Sequence, residues 1–341
     1  MTFRDNLMQI VKRVNLDETR MSDMITEIFG GTVTDARIGA MMAALATKGE
    51  TFEELAGAAR AMRRKALRVQ TSADTVVDTC GTGGDGAKTF NISTTAAFVV
   101  AGSGVTVAKH GNRSISSQCG SADVLEALGV KIDINPEIVE EAIREVGIGF
   151  LFAPLYHGAM RYAANARKEV GIRSIFNMLG PLTNPAAANC QLIGVYAPEL
   201  TEMFARALQL LDAKRAFVVH GHDGLDEISV CAKTRVSELK NGMVRTYDLS
   251  PEKYFETLAE PSELKGGDAP ANADITLKIL KGEKGPRRNV ILINAGMALV
   301  AAEKAQKLEE GIGLAGQSID SGAALEKLNA LIQYTRENSK K

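Results

Sequence analysis

The residues best equipped for chemistry lie between Asp78 and Asp123, where two strand-like runs each end in a loop suited to an anion. The first run, Thr75-Val76-Val77, breaks into Asp78-Thr79-Cys80-Gly81-Thr82-Gly83-Gly84-Asp85-Gly86. Glycines at 81, 83, 84 and 86 permit positive φ and let backbone N–H groups approach phosphate without a Cβ in the way. Thr89 and Phe90 lead into Asn91-Ile92-Ser93-Thr94, where a helix is expected to begin. Asn91 and Ser93 are helix-capping types, and the free N–H groups of a helix start attract phosphate. The second run, 105–108, ends on Lys109-His110-Gly111-Asn112-Arg113, followed by Ser114, Ile115, Ser116 and Ser117. Lys109 and Arg113 add full charges, and an arginine can grip phosphate with two parallel bonds. The spacing matches neither Gly-x-x-x-x-Gly-Lys-Ser/Thr nor Gly-x-Gly-x-x-Gly. Ligands of α/β sheets sit at the carboxyl ends of strands, so two such loops point to an enzyme for a highly phosphorylated small molecule.

Other residues extend that chemistry. Asp226 and Glu227 follow the apolar run 216–219 and a turn. Adjacent carboxylates opposite a phosphate loop suit Mg²⁺, which takes one or two carboxylates and keeps substrate oxygens and waters. His220 and His222 have no third ligand nearby and read as structural. His110, between Lys109 and Gly111, either lines an acceptor pocket or serves packing and capping. Arg161 and Arg167 fall on one expected helix; either can reach a substrate carboxylate, and the residues alone do not choose. Residues 177–185 form a glycine- and proline-punctuated loop. No Ser/His/Asp set, nucleophile elbow or Cys–His motif is present, so no covalent nucleophile is expected.

The elements that must position these groups fall into two parts. Residues 3–70 read as helices: Thr34 and Thr51 are N-cap types, Glu54 completes a capping box, and Ile38, Met41, Met42 and Leu45 make one apolar stripe. Most of the 12 methionines belong to core packing. From residue 73 onward, strand-like runs at 75–78, 105–108, 149–152, 191–196 and 216–220 alternate with helical patterns, the mark of a parallel sheet. A hairpin over 227–247 turns at Asn241-Gly242, and 272–337 returns to helix, leaving a tail from 338 expected to be disordered. The expected fold is therefore α/β, with a small helical domain over 1–72, completed by a segment around 170–190, and an α/β domain over 73–341. With 40 basic and 41 acidic residues in 341, the net charge of −1 gives no reason to expect nucleic acid or an anionic membrane. The four scattered cysteines read as reduced thiols, and no leader or bilayer-length apolar run occurs, so a soluble cytoplasmic protein is expected.

These motifs resemble anthranilate phosphoribosyltransferase. The resemblance is carried by 78–85, Phe90-Asn91-Ile92-Ser93-Thr94, Val107-Ala108-Lys109-His110-Gly111-Asn112-Arg113 and Gly120-Ser121-Ala122-Asp123-Val124-Leu125-Glu126. Gly171-Ile172-Arg173-Ser174-Ile175-Phe176-Asn177, Gly180-Pro181-Leu182-Thr183-Asn184-Pro185 and Gly224-Leu225-Asp226-Glu227 continue it, in one order, to about residue 301. It implies transfer of a 5-phosphoribosyl group from 5-phosphoribosyl 1-pyrophosphate (PRPP) to the amine of anthranilate, with Mg²⁺, in tryptophan biosynthesis. By motif, Gly81, Gly84, Asp85, Thr89, Asn91, Ile92, Ser93, Thr94, Lys109, His110, Gly111, Asn112, Arg113, Ser114, Ile115, Ser116, Ser117 and Ser121 would hold PRPP. Ser93, Asp226 and Glu227 would bind Mg²⁺, while Gly81, Asn112 and Arg167 would meet anthranilate with His110 nearby. The family implies a homodimer built through the helical domain; association with a glutamine amidotransferase subunit is left open. Gln118-Cys119 departs from the basic or small polar pair expected beside the donor. The competing readings are a pyrimidine nucleoside phosphorylase, which would lack the Lys109–Asn112 run and the paired acids, and a non-catalytic nucleic-acid-binding relative, which should be basic.

Overall fold

The computed structural model describes residues 1–114 and 118–339; the expected donor contacts Ile115, Ser116 and Ser117 lie outside them. Seven strands form one sheet: β1 (Val76–Gly81), β2 (Thr106–Gly111), β3 (Ile148–Phe152), β4 (Cys190–Gly194), β5 (Arg215–Gly221), β6 (Thr234–Lys240) and β7 (Met243–Leu249), in the order β3-β2-β1-β4-β5-β6-β7. The first five are parallel, and β6 and β7 add an antiparallel hairpin. The parallel strands are buried almost throughout because both faces are covered. Along β5, Phe217 and Val219 face one core with Leu192 and the helices Ile92–Gly102 and Pro286–Ala301. Ala216 and Val218 face the other, as the pleat requires. The hairpin turns at Asn241 and Gly242, with φ of 51° and 68°, which a two-residue turn of this hand demands.

Four helices, Phe3–Val11, Glu18–Phe29, Asp35–Lys48 and Phe52–Lys65, precede the sheet. Thr51 and Glu54 form the expected capping box; Thr34 is an N-cap by position, but its side chain makes no capping bond. Met21, Met24, Met41 and Met42 are fully buried in a cluster shared with Ala163, Ala166, Phe176, Leu179 and Phe204. Parts of 161–182 and of the helix Leu200–Leu210 thus pack with the N-terminal helices. Arg63 fastens the junction, its guanidinium donating to the carbonyls of Leu182 (2.7 Å) and Leu211 (3.3 Å). Among the described residues no helix is long and apolar enough to cross a membrane. The last helix runs to Asn338, into the stretch expected to be disordered.

The chain builds outward from β1 to β2 and β3, then returns to the other side of β1 for β4. The strand order therefore reverses between β1 and β4, and the carboxyl ends at such a switch point are where α/β sheets bind ligands. Gly81 ends β1, Gly194 ends β4, and the two are register partners.

Candidate active site

The acidic residues reach these strand ends from the turn after β5. Asp226 accepts a hydrogen bond from the Gly83 N–H (2.9 Å), and Glu227 accepts one from the Ser93 N–H (3.1 Å). The fit depends on missing side chains. A Cβ on Gly81 would lie 2.5 Å from the Asp226 carboxylate, and one on Gly194 would lie 1.5 Å from the Asp226 carbonyl oxygen. Positive φ occurs at Gly83, Gly84 and Gly86 but not at Gly81, whose small size serves close approach instead. Asp85 faces the same cluster, its carboxylate 3.4 Å from the Asp226 N–H. Among the described residues, no three His, Cys, Asp or Glu side chains gather as a metal cage.

That donor set suits Mg²⁺. Burial raises the Asp226 carboxyl well above its usual range, and the neighbouring Asp85 and Glu227 add to the rise. Burial also pushes Glu227 up to about 8, although Lys109 pulls the other way. Two buried carboxylates held against backbone donors, with more negative charge than the site neutralises, fit a divalent ion that takes its remaining ligands from substrate and water.

Beneath them, Lys109 on β2 is buried and turned inward. Its ammonium donates to the Thr79 carbonyl (2.5 Å) and lies 3.5 Å from Ser93 Oγ. Burial lowers its pKa, and Asp78 is the first group opposing that. Asp78 is itself buried in β1, accepting from the His110 N–H (3.1 Å) and Asn184 Nδ2 (2.8 Å); Asn184 Nδ2 also donates to the Ala108 carbonyl (2.7 Å). Asp78 and Asn184 thereby fasten the Lys109–His110 corner to the proline loop. Neither was singled out from sequence as a site residue; an acid inside a β-branched run is the signal that marks Asp78.

His110 faces the interior. Its Nδ1 lies 3.0 Å from the Gly180 carbonyl and its Nε2 lies 3.2 Å from His157 Nε2. A neutral His110 that donates through Nδ1 accepts from the His157 Nε2–H. Burial, then the adjacent His157, pushes His110 down to about 3, and burial pushes His157 down to about 4. Both rings are therefore neutral at pH 7.

The helix Ile92–Gly102 begins at Asn91, but that side chain does not cap it. Its amide donates to the Cys119 carbonyl (3.2 Å) and its oxygen accepts from Asn272 (2.9 Å), tying the helix start to the segment before Ser121. Cys119 is buried, with burial pushing its thiol up to about 11, so it is poorly reactive. Gly111 has room for no side chain beside Ser121, whose hydroxyl accepts from the Asn112 N–H (3.2 Å). Arg113 is paired with Asp123 (3.0 Å) and Glu126 (3.0 Å), and the Ser114 N–H donates to Asp123 (3.1 Å). Thr89 pairs with Lys265 in an isolated bridge at the edge of the loop, and Thr94 is buried.

The structure separates the two candidate arginines on the helix Arg161–Val170. Arg161 donates to Tyr162 Oη (2.9 Å) and lies over that ring. Arg167 is half-buried, stands 5.8 Å from the Phe176 ring centre, and has neither hydrogen bond nor carboxylate among the described residues. Burial lowers its pKa. His220 and His222 take unrelated partners, the Val195 carbonyl (2.8 Å) and Asp248 (3.3 Å).

A glycine-lined loop, paired carboxylates at a switch point and a helical part packed beside the sheet suit an enzyme of two-part build that handles a phosphorylated substrate. Consistent with this class, a family model described as the glycosyl transferase family a/b domain matches residues 73–325, and its helical bundle companion matches 4–66. The chain is 68% identical to the anthranilate phosphoribosyltransferase of Desulfosudis oleivorans over 98% of its length and 99% of the relative's. It superposes on the Thermus thermophilus enzyme of that name with a TM-score of 0.92 at 42% identity, covering 97% of this chain and 99% of the other. The Saccharomyces cerevisiae enzyme, solved in complex with PRPP and Mg, gives 0.87 at 30% identity, covering 98% of each. The chain belongs to the anthranilate phosphoribosyltransferase family.

Proposed function

We propose that the protein transfers the 5-phosphoribosyl group of PRPP to the amine of anthranilate, releasing pyrophosphate. The observation that carries this reading is the meeting of the glycine loop, the buried Asp226–Glu227 pair and the Lys109 corner at the β1/β4 switch point. The relative solved with PRPP and Mg shares this fold. The two readings set aside, a nucleoside phosphorylase and a nucleic-acid-binding relative, have no observation in their favour.

Asp226 and Glu227, with Ser93, would hold Mg²⁺. When bound, it neutralises charge on the pyrophosphate as the glycosidic bond breaks. The loop 82–87 and the helix start at Ile92 offer backbone N–H groups to phosphate oxygens, where they need no reorganisation during the reaction. Gly84, Asp85, Thr89, Asn91, Thr94, Asn112, Arg113, Ser114 and Ser121 line or support that donor side. Anthranilate's aromatic amine is neutral and nucleophilic at pH 7, so the neutral His110 and His157 serve as a wall and not as a base. Holding the amine beside C1 of the ribose supplies much of the acceleration, since orientation contributes roughly 7–11 kcal/mol in favourable cases.

Arg167, a half-buried cation without an anion among the described residues, is the residue for the anthranilate carboxylate. Arg167→Ala is expected to raise the KM for anthranilate about tenfold or more, as loss of a charged hydrogen bond does, while leaving the KM for PRPP within about twofold. Steady-state kinetics with each substrate varied decides this; a rise confined to PRPP would move the carboxylate site elsewhere.

We assign the protein to the cytoplasm as a homodimer built through the helical part. The first helix presents Met8 and Val11 to solvent, and Val14 follows it, an apolar strip that a second copy would cover. Light scattering at micromolar concentration should give the mass of two chains; a single-chain mass would remove the dimer.

A further inference from the structure

Arg173 is unaccounted for by the site as described. It sits in the turn that follows the Arg161–Val170 helix, the helix that carries Arg167, yet its side chain crosses to the glycine loop. One guanidinium nitrogen donates to the Gly84 carbonyl at 3.1 Å. The guanidinium plane is steadied by Tyr196, whose ring centre is 4.0 Å away, just past the end of β4. The Tyr196 N–H donates to Thr82 Oγ1 (3.2 Å), and the Thr82 N–H donates to the Gly194 carbonyl (2.9 Å). Loop, strand end and arginine thus close a ring of contacts around residues 82–84.

The peptide that Arg173 grips is the informative one. Gly84 adopts φ of 79°, and a Cβ there would come within 3.0 Å of the Arg173 guanidinium. Among the described residues no peptide is cis, so a Gly84 carbonyl turned toward Arg173 sends the Asp85 N–H the opposite way. The Asp85 carboxylate accepts from the Ala87 N–H (3.2 Å) and faces the Asp226 N–H. A glycine-rich loop has little intrinsic preference between peptide orientations, so an outside donor decides which is populated. Arginine suits the task because its planar fork can stack on an aromatic ring while donating at its edge.

We propose that Arg173 is a positioning residue that fixes the Gly84–Asp85 peptide in the orientation that receives the phosphorylated donor. This rests on the phosphoribosyl-transfer reading. Because Arg173 bonds to the loop carbonyl and stacks on Tyr196 beside that loop, its loss should act on the donor. In Arg173→Ala the KM for PRPP is expected to rise about tenfold, the size of one charge-assisted hydrogen bond, with the KM for anthranilate and the melting temperature little changed. Arg173→Lys should recover part of the loss, since an ammonium can reach the carbonyl but stacks less well on the ring. Millimolar guanidinium ion added to Arg173→Ala should lower the PRPP KM again, a rescue that a purely structural role would not give. Should Arg173→Ala melt early, Tyr196→Leu, which removes the stacking surface, decides by the same split between the two KM values. An unchanged PRPP KM, or equal rises for both substrates, would overturn the inference. A wild-type protein that transfers nothing would instead sink the reading beneath it.

Discussion

Asp226→Asn is expected to lower kcat/KM on the order of a thousandfold at saturating Mg²⁺ while making the metal-free protein more stable. The loss follows from removing one of two carboxylates that place positive charge where negative charge develops, the range seen when one such contact is deleted. The stability gain follows from the same geometry. Asp226 is buried beside Asp85 and Glu227, and negative charge on either neighbour opposes its ionisation. An asparagine keeps an oxygen for the Gly83 N–H and removes the repulsion. The pH dependence has a definite sign. A carboxyl raised in the fold contributes most stability at low pH, and that contribution is lost as pH rises from the unfolded value toward the folded one, here to about 8 for Glu227. His110 and His157, lowered to about 3 and 4, act oppositely and only below their unfolded value of 6.5. Above about pH 6.5 the two histidines no longer contribute while Glu227 does up to about 8, so in chelator the wild-type melting temperature should fall across that window. Asp226→Asn should fall less. Melts in chelator and initial rates with Mg²⁺ check both halves; a variant that keeps a tenth of wild-type activity, or one that melts lower in chelator, would contradict the account.

Gly194→Ala should be the most damaging single methyl group in the site. The added carbon would overlap the Asp226 carbonyl oxygen at 1.5 Å, and both partners are backbone, one in β4 and one in the acidic turn. Neither can rotate away. Either β4 parts from β1 or the turn lifts off, and the second outcome displaces Asp226 and Glu227 together. Overpacking on this scale costs roughly 3 kcal/mol or more, with activity lost in parallel. Gly83→Ala makes the contrast, since its Cβ would meet open space and only its φ of 65° opposes the change. That variant should lose about 1 kcal/mol and fold normally. Thermal melts and Mg²⁺-dependent rates on the pair distinguish steric from conformational demand. Equal behaviour of the two variants would mean that the approach of Asp226 to the β4 end is not what positions the acids.

The fold was readable where each residue's demand is local. The five parallel strands announce themselves because strands buried on both faces carry short runs rich in apolar and β-branched residues. Asn241-Gly242 marks its hairpin because few residues take positive φ twice in succession. Thr51 and Glu54 mark a helix start through bonds three residues apart. The site was readable only as far as its loops are contiguous. The sequence carried Gly81 as a phosphate-loop glycine, whereas its tight contact is with Asp226, far along the chain. Asn91 looked like a cap because capping residues share its chemistry, but Asn272 and Cys119 claim its side chain. Arg113 has the charge to meet phosphate, yet Asp123 and Glu126, brought alongside by the helix Ser121–Leu128, hold it in this structure. Arg161 and Arg167 are the same residue type on one helix; the Tyr162 partner at one and, among the described residues, the lack of an anion at the other separate them.

The most direct measurement is the decay of anthranilate fluorescence on adding PRPP to the purified protein, with Mg²⁺ and then with chelator. The account predicts stoichiometric, enzyme-dependent loss with Mg²⁺, release of one pyrophosphate per anthranilate consumed, and near-abolition by chelator. Persistent fluorescence with a folded protein, both substrates and Mg²⁺ present would contradict phosphoribosyl transfer to anthranilate.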